Sequence, residues 1–121
     1  MLSALTRCLQ EEAAAIAAAA NRLAPDQVEA ALALLDHCAN RRAKLVITGV
    51  GKSGIVARKI AATFSSIGVM AIYLNPLDAL HGDLGVVAED DVTLLLSNSG
   101  ETQELLEILP HLKRRGTQRI A

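Results

Sequence analysis

Hydrophobic and polar positions alternate along the chain in two different rhythms. Residues 2–22 carry Leu and Ala at helical spacing, broken by Glu11 and Glu12, and read as an Ala-rich helix. Pro25 followed by Asp26 restarts a helix, because Pro suits a first helical position and Asp favours the positive helix pole. That second helix is expected to run to about Asn40, with Arg41 and Arg42 at its negative end. From Lys44 the rhythm changes to short aliphatic runs separated by helical stretches. Lys44–Thr48 reads as strand one, Ser53–Ile67 as a helix stopped by Gly68, and Met70–Leu74 as strand two. Asn75-Pro76 breaks that strand, and Leu77–Leu80 reads as a single helical turn. Val92–Leu96 is strand three, residues 102–115 form a helix stopped by Gly116, and Gln118–Ala121 opens strand four.

Strands alternating with helices at short spacing predict a parallel sheet with right-handed crossovers. The expected fold is therefore α/β, a three-layer αβα arrangement of flavodoxin-like type, preceded by two helices. Ile120-Ala121 stops where a buried strand should begin. Either a shortened chain or a piece of a longer one is expected, with an open apolar sheet edge.

Composition narrows the class. About half of the 121 residues are hydrophobic (51%), yet Phe64 and Tyr73 are the only aromatics. An aliphatic core of this kind suits parallel strands covered on both faces. A formal net charge of −1 offers no basic stripe for nucleic acid, and so few aromatics offer no stacking platform for bases. Cys8 and Cys38 lack metal-ligand spacing and lie in helical patterns, so buried free thiols are expected. No secretory signal is convincing, and the apolar stretch at 13–20 is too short to span a bilayer. A soluble cytoplasmic protein with no metal, no membrane partner and no nucleic-acid partner is the expectation.

The candidate chemistry sits where two strands end. Gly49-Val50-Gly51-Lys52-Ser53-Gly54 follows strand one and opens a helix, as the dinucleotide fingerprint G-x-G-x-x-G requires. That reading also needs an acidic residue about 20 positions on. The chain offers Tyr73-Leu74-Asn75-Pro76 there, with Asp78 too late. A P-loop would need glycine where Val46 stands. The remaining alternatives are a tight turn with a solvated Lys52, or an anion site. Ser97-Asn98-Ser99-Gly100-Glu101-Thr102 is more specific. Three hydroxyls on one loop exceed what an N-cap needs, and free helix N–H groups favour a phosphate. Between strands two and three, His81-Gly82-Asp83-Leu84-Gly85 adds a histidine able to move protons near neutral pH.

Together these segments, with Ala62-Thr63-Phe64, resemble the SIS (sugar isomerase) domain. They look most like the arabinose 5-phosphate isomerase family, which serves 3-deoxy-manno-octulosonate and so lipopolysaccharide synthesis. The resemblance runs from about residue 40 to 115, which makes 1–40 an N-terminal helical segment and 41–121 part of an SIS domain. It implies an aldose–ketose isomerase interconverting D-arabinose 5-phosphate and D-ribulose 5-phosphate without a cofactor. It further implies that Ser97, Asn98, Ser99 and Thr102 hold the phosphate with Ser53 nearby, and that Gly51 and Asp83 belong to substrate loops. Lys52, His81 and Glu104 match positions implicated in catalysis. Enediol chemistry needs a base, for which Glu104 or a histidine is the candidate, and a cation such as Lys52 beside the oxyanion. Family members are homo-oligomers, and Leu32, Leu35 and the alanine faces of the first two helices could either serve such contacts or merely cover the sheet. Two departures bear on substrate detail. Ile55 replaces a frequent His, and Asn75-Pro76-Leu77-Asp78-Ala79 replaces His-Pro-Ala-Glu-Ala. The family's domain also continues further, to another catalytic histidine and often two CBS modules. A non-catalytic sugar-phosphate-binding module is the alternative reading, and a fragment that folds only by pairing its edge is a third.

Overall fold

A computed structural model describes residues 1–41 and 43–121. Arg42, expected at the negative pole of the second helix, lies outside the described residues. In chain order the elements are α1 (Leu2–Asn21), α2 (Pro25–Arg41), β1 (Leu45–Gly49), α3 (Lys52–Ser66), β2 (Ala71–Leu74), α4 (Pro76–Leu80), a 3-10 turn (Asp83–Val86), β3 (Val92–Leu96), α5 (Gln103–Arg114) and β4 (Gln118–Ile120). All the elements read from the pattern are present, with ends displaced by a residue or two, the usual scatter at frayed termini. Residues Met1–Ala31 form one compact unit and Leu32–Ala121 another.

The first unit is helical, and it exposes apolar as well as charged side chains. None of the residues of α1 is buried. Leu2, Leu5, Leu9 and Ile16 are all exposed. Cys8 is exposed as well, which corrects the expectation of two buried thiols. The reason is that α1 packs no core of its own within these residues. No described helix is long and apolar enough to cross a membrane.

The second unit carries the sheet, in the order β2-β1-β3-β4. Every pairing is parallel, with Ile47 opposite both Tyr73 and Leu94, and Leu94 opposite Ile120. Because side chains alternate across a strand, β1 feeds two cores at once, and all five of its residues are buried. On one face Val46, Leu74 and Leu95 pack with Leu105, Ile108 and Leu112 of α5 and Ala79 of α4. On the other, Leu45, Ile47 and Val92 pack with Ala57 and Ala61 of α3 and Cys38 of α2. Ile108 and Leu112 are fully buried, each contributing about 1.5–3 kcal/mol. That burial holds α5 together across its internal Pro110, which removes one helical hydrogen bond. Leu35 is partly buried against the α3 side of the sheet, and Leu32 is exposed. On β4, Gln118 and Arg119 are exposed and Ile120 is half-buried.

A buried carboxylate anchors the N-terminal end of the sheet. Asp91 is 2% exposed and precedes β3. Its Oδ1 accepts from the Lys44 backbone N–H at 2.8 Å, and its Oδ2 accepts from the Ala88 N–H at 2.8 Å. Lys44 Nζ lies 2.6 Å from the same Oδ2. Burial pushes this carboxyl up, but the Lys44 ammonium and the two N–H donors outweigh it and hold the group below the ordinary carboxylate range. Beside it, burial raises the Cys38 thiol, which donates to the Ala43 carbonyl at 3.1 Å.

Since the folded Asp91 binds its proton more weakly than the unfolded one, its contribution is complete above the unfolded value of about 3.9 and is lost as pH falls below it. Asp91→Ala, which strands the Lys44 ammonium, should cost about 3 kcal/mol in urea denaturation at pH 7. Asp91→Asn should flatten the acid limb of the stability profile below about pH 4. An unchanged acid limb in that variant would show that other carboxylates dominate.

Candidate active site at the strand ends

Two loops leave neighbouring central strands at the same end of the sheet. The chain crosses to opposite sides after β1 and β3, so their C-terminal ends flank the topological switch point, where open α/β sheets bind ligands. The glycine loop follows β1. A methyl group on Gly54 would lie 2.7 Å from the Gly49 carbonyl oxygen, and one on Gly49 would lie 2.9 Å from the Ser53 carbonyl carbon. Strand end and helix start therefore touch through bare backbone. Gly51, with φ +60 and ψ −126, turns the chain in a conformation that side chains resist and becomes the N-cap of α3. The backbone N–H groups of Lys52 and Ser53 have no acceptor among the described residues. They point the positive pole of α3 toward the switch point.

The serine loop follows β3 and is braced by its own hydroxyls. Ser97 Oγ and Thr102 Oγ1 are 2.7 Å apart. The Gly100 N–H donates to Ser97 Oγ at 3.0 Å, and the Glu101 N–H donates to Ser99 Oγ at 3.1 Å. Thr102 is the N-cap of α5 and makes no side-chain cap bond; its hydroxyl bonds Ser97 instead. The three hydroxyls carry three protons, and the Ser97–Thr102 bond consumes one. The other two, on Ser99 and on one member of that pair, remain to be donated to an anion.

The two loops face one another. Lys52, Ser53, Val56, Leu96, Ser97 and Asn98 line one cavity of about 430 Å³. It has a cation, hydroxyls and an amide on a mostly apolar floor, the makeup of a small-ligand site. Gly51 and Glu104 line a second cavity of about 220 Å³ with Tyr73, Asn75 and Leu77. The glycine loop thus contributes to both. Thr102 shares a smaller cavity of about 130 Å³ with Ser97, Gly100 and Leu105, and Ser99 is exposed at the loop tip. Asp83 stands elsewhere, in a cavity of about 550 Å³ along β2 with Ile72, Leu74 and Val86. His81 lines none of these cavities; it closes α4, its N–H bonded to the Asp78 carbonyl at 3.0 Å and its side chain exposed. Lys52, Ser53, Ser97 and Asn98 are therefore brought together, Gly51 and Glu104 form a second group, and His81 and Asp83 stay apart from both. Tyr73 and Asn75 were not among the expected site residues. In the sequence Tyr73 stood out only as one of two aromatics, and Asn75 only as the residue in place of the family's His.

A parallel αβα sheet with anion-ready loops at its switch point defines the class, and comparison with known proteins names the family. Residues 38–121 match the SIS domain. The chain belongs to the SIS-domain family. It is 36% identical over its full length to the arabinose 5-phosphate isomerase KpsF of Escherichia coli, of which it spans 36%. It is 46% identical over 80 residues to the arabinose 5-phosphate isomerase KdsD of Pseudomonas aeruginosa, covering 66% of this chain and 24% of that one. Among solved structures, an E. coli CFT073 protein in complex with arabinose 5-phosphate superposes with a TM-score of 0.82 at 40% identity, covering 98% of this chain and 61% of that one. A Listeria monocytogenes structure, provisionally assigned as a sugar-phosphate isomerase, superposes with a TM-score of 0.89 at 33% identity over 98% of this chain and 60% of that one. The chain spans about a third of the full-length KpsF relative it matches.

Packing at the glycine loop is testable by itself. Gly54→Ala should lower stability by about 2 kcal/mol, since its methyl must displace backbone. Gly85→Ala meets nothing within 4 Å and should change stability by less than about 0.5 kcal/mol. Equal urea midpoints for the two variants would contradict the close approach of Gly49 and Gly54.

Proposed function

We propose that this chain is the phosphate-binding part of a sugar-phosphate isomerase that interconverts D-arabinose 5-phosphate and D-ribulose 5-phosphate. The observation that carries the reading is the single cavity shared by Lys52 and Ser53 with Ser97 and Asn98, at the switch point of the sheet. Relatives named arabinose 5-phosphate isomerase, and a structural neighbour in complex with that sugar phosphate, supply the substrate class.

In this reading the phosphate lies against the serine loop. Ser99 and the free proton of the Ser97–Thr102 pair donate to it, with Asn98, Ser53 and the N-terminal N–H groups of α3 beside them. Phosphate at one end and Glu104 in the adjoining cavity place the sugar across the glycine loop. Isomerisation then moves only protons: one leaves C2 of the aldose and returns to C1 through an enediol, while a hydroxyl proton passes from O2 to O1. Glu104 serves as the base at carbon, and Lys52 stabilises the oxyanion as negative charge gathers there. His81 is the candidate for the hydroxyl proton, and Gly51 and Asp83 shape the approaches. No cofactor enters this route. The exposed Leu2, Leu5, Leu9 and Ile16 of α1 support a homo-oligomer, and a phosphorylated sugar as substrate supports a cytoplasmic location.

A second reading has one observation in its favour. His81 and Glu104 line no common cavity, which fits a module that binds the sugar phosphate without turning it over.

Titration of the chain with D-arabinose 5-phosphate, followed by amide NMR and by assay for ribulose 5-phosphate, tests both. Shifts at residues 51–53 and 97–102 are expected. Product formation selects the isomerase, and shifts without product select the binding module. In a chain with turnover, Lys52→Ala should lower kcat by about 10²-fold or more and Glu104→Gln by a similar factor. Wild-type turnover in either variant would overturn that residue's role.

A further inference from the structure

Tyr73 is the chain's one tyrosine, and there is no tryptophan. It sits on β2 with its Cα paired to Ile47, yet its side chain reaches past that register to the end of β1. There its hydroxyl donates to the Gly49 carbonyl oxygen at 3.0 Å. A methyl on Gly54 would lie 3.0 Å from the same hydroxyl oxygen, so the first turn of α3 is seated against it. Arg58, one helical turn further along α3, places its guanidinium carbon 4.4 Å from the ring centroid, a cation–π contact. The phenol is thus held by the last carbonyl of β1, the bare Cα of Gly54 and the Arg58 side chain.

A ring would fill this space without a hydroxyl; the hydroxyl acts only on the Gly49 carbonyl. That carbonyl begins the turn that Gly51 completes and that delivers Lys52 and Ser53 to the larger cavity. Tyr73 also lines the adjoining cavity with Glu104 and stands two residues before Asn75. It therefore joins the glycine loop to the segment that leaves β2. We propose that Tyr73 is a positioning residue for sugar-phosphate binding: its hydroxyl, bonded to the Gly49 carbonyl, sets the backbone that presents Lys52 and Ser53. The inference rests on the reading of this site as one for a sugar phosphate.

The test compares Tyr73→Phe with Ile47→Val, which thins the same core without touching the hydroxyl. In the ligand-free Tyr73→Phe chain, the Gly49 carbonyl resonance and the amides of residues 50–54 should move, while those of 97–102 stay in place. With D-arabinose 5-phosphate as the probe, its Kd should rise about tenfold, equivalent to about 1.4 kcal/mol and on the scale of one hydrogen bond. Ile47→Val should bind as the wild type does despite a lower Tm. Unmoved resonances at 49–54, or the same loss of affinity in Ile47→Val, would overturn the proposal. Should the wild-type chain show no response to the sugar phosphate, the functional reading falls. The ligand-free spectra then decide Tyr73 alone: movement confined to 49–54 upholds its hold on the loop, and an unmoved loop overturns it.

Discussion

The contact between Gly49 and Gly54 is the constraint on which the site depends. A helix that starts immediately after a buried parallel strand has little room to turn. Here the Gly49 carbonyl occupies the place a Cβ of residue 54 would need, and Ser53 occupies the place a Cβ of residue 49 would need. Removing both side chains lets α3 start close above β1. Its N-terminal N–H groups then lie beside the neighbouring strand end, and the exposed Lys52 borders the same cavity as Ser97 and Asn98. The serine loop after β3 meets them there because β1 and β3 are adjacent and in register, Gly49 beside Leu96.

The opposite end of the sheet is secured by different means. Where the site end relies on missing side chains, the N-terminal end relies on one buried charge. Asp91 satisfies the Lys44 and Ala88 N–H groups and pairs with the Lys44 ammonium, so β1 and β3 begin at a fixed offset. Offset at the start of two parallel strands sets offset at their ends. Asp91 thus helps to fix the offset of the two strands whose far ends carry Lys52 and Ser97. The serine loop contributes its own order: Ser97 and Thr102 bond across its mouth at 2.7 Å.

The element order, the parallel sheet and the two strand-end loops were legible in the sequence, because aliphatic runs, helix stops at Gly68 and Gly116, and hydroxyl-rich junctions are local signals. The family was legible for the same reason: Gly49–Gly54, His81–Gly85 and Ser97–Glu101 are contiguous segments. The burial of Cys38 and the exposure of Cys8 were not, since both lie in similar helical patterns and differ only in what packs against them. Asp91 looks like any member of the Glu89-Asp90-Asp91 run; its burial follows from the pairing of β1 with β3. Tyr73 was visible only as a rare aromatic.

By itself, the chain's order of residues determined which segments are strands, which are helices and which loops carry donors for an anion, because each depends on neighbours a few positions away. Tertiary structure alone decided the grouping of those donors. Lys52 and Ser53 share a cavity with Ser97 and Asn98, Glu104 looks into the next one, and His81 stands outside both. Residues far apart in the chain meet only after strand order and register are set. Those are properties of the whole sheet, fixed by burial of both its faces and by the paired charge at its base.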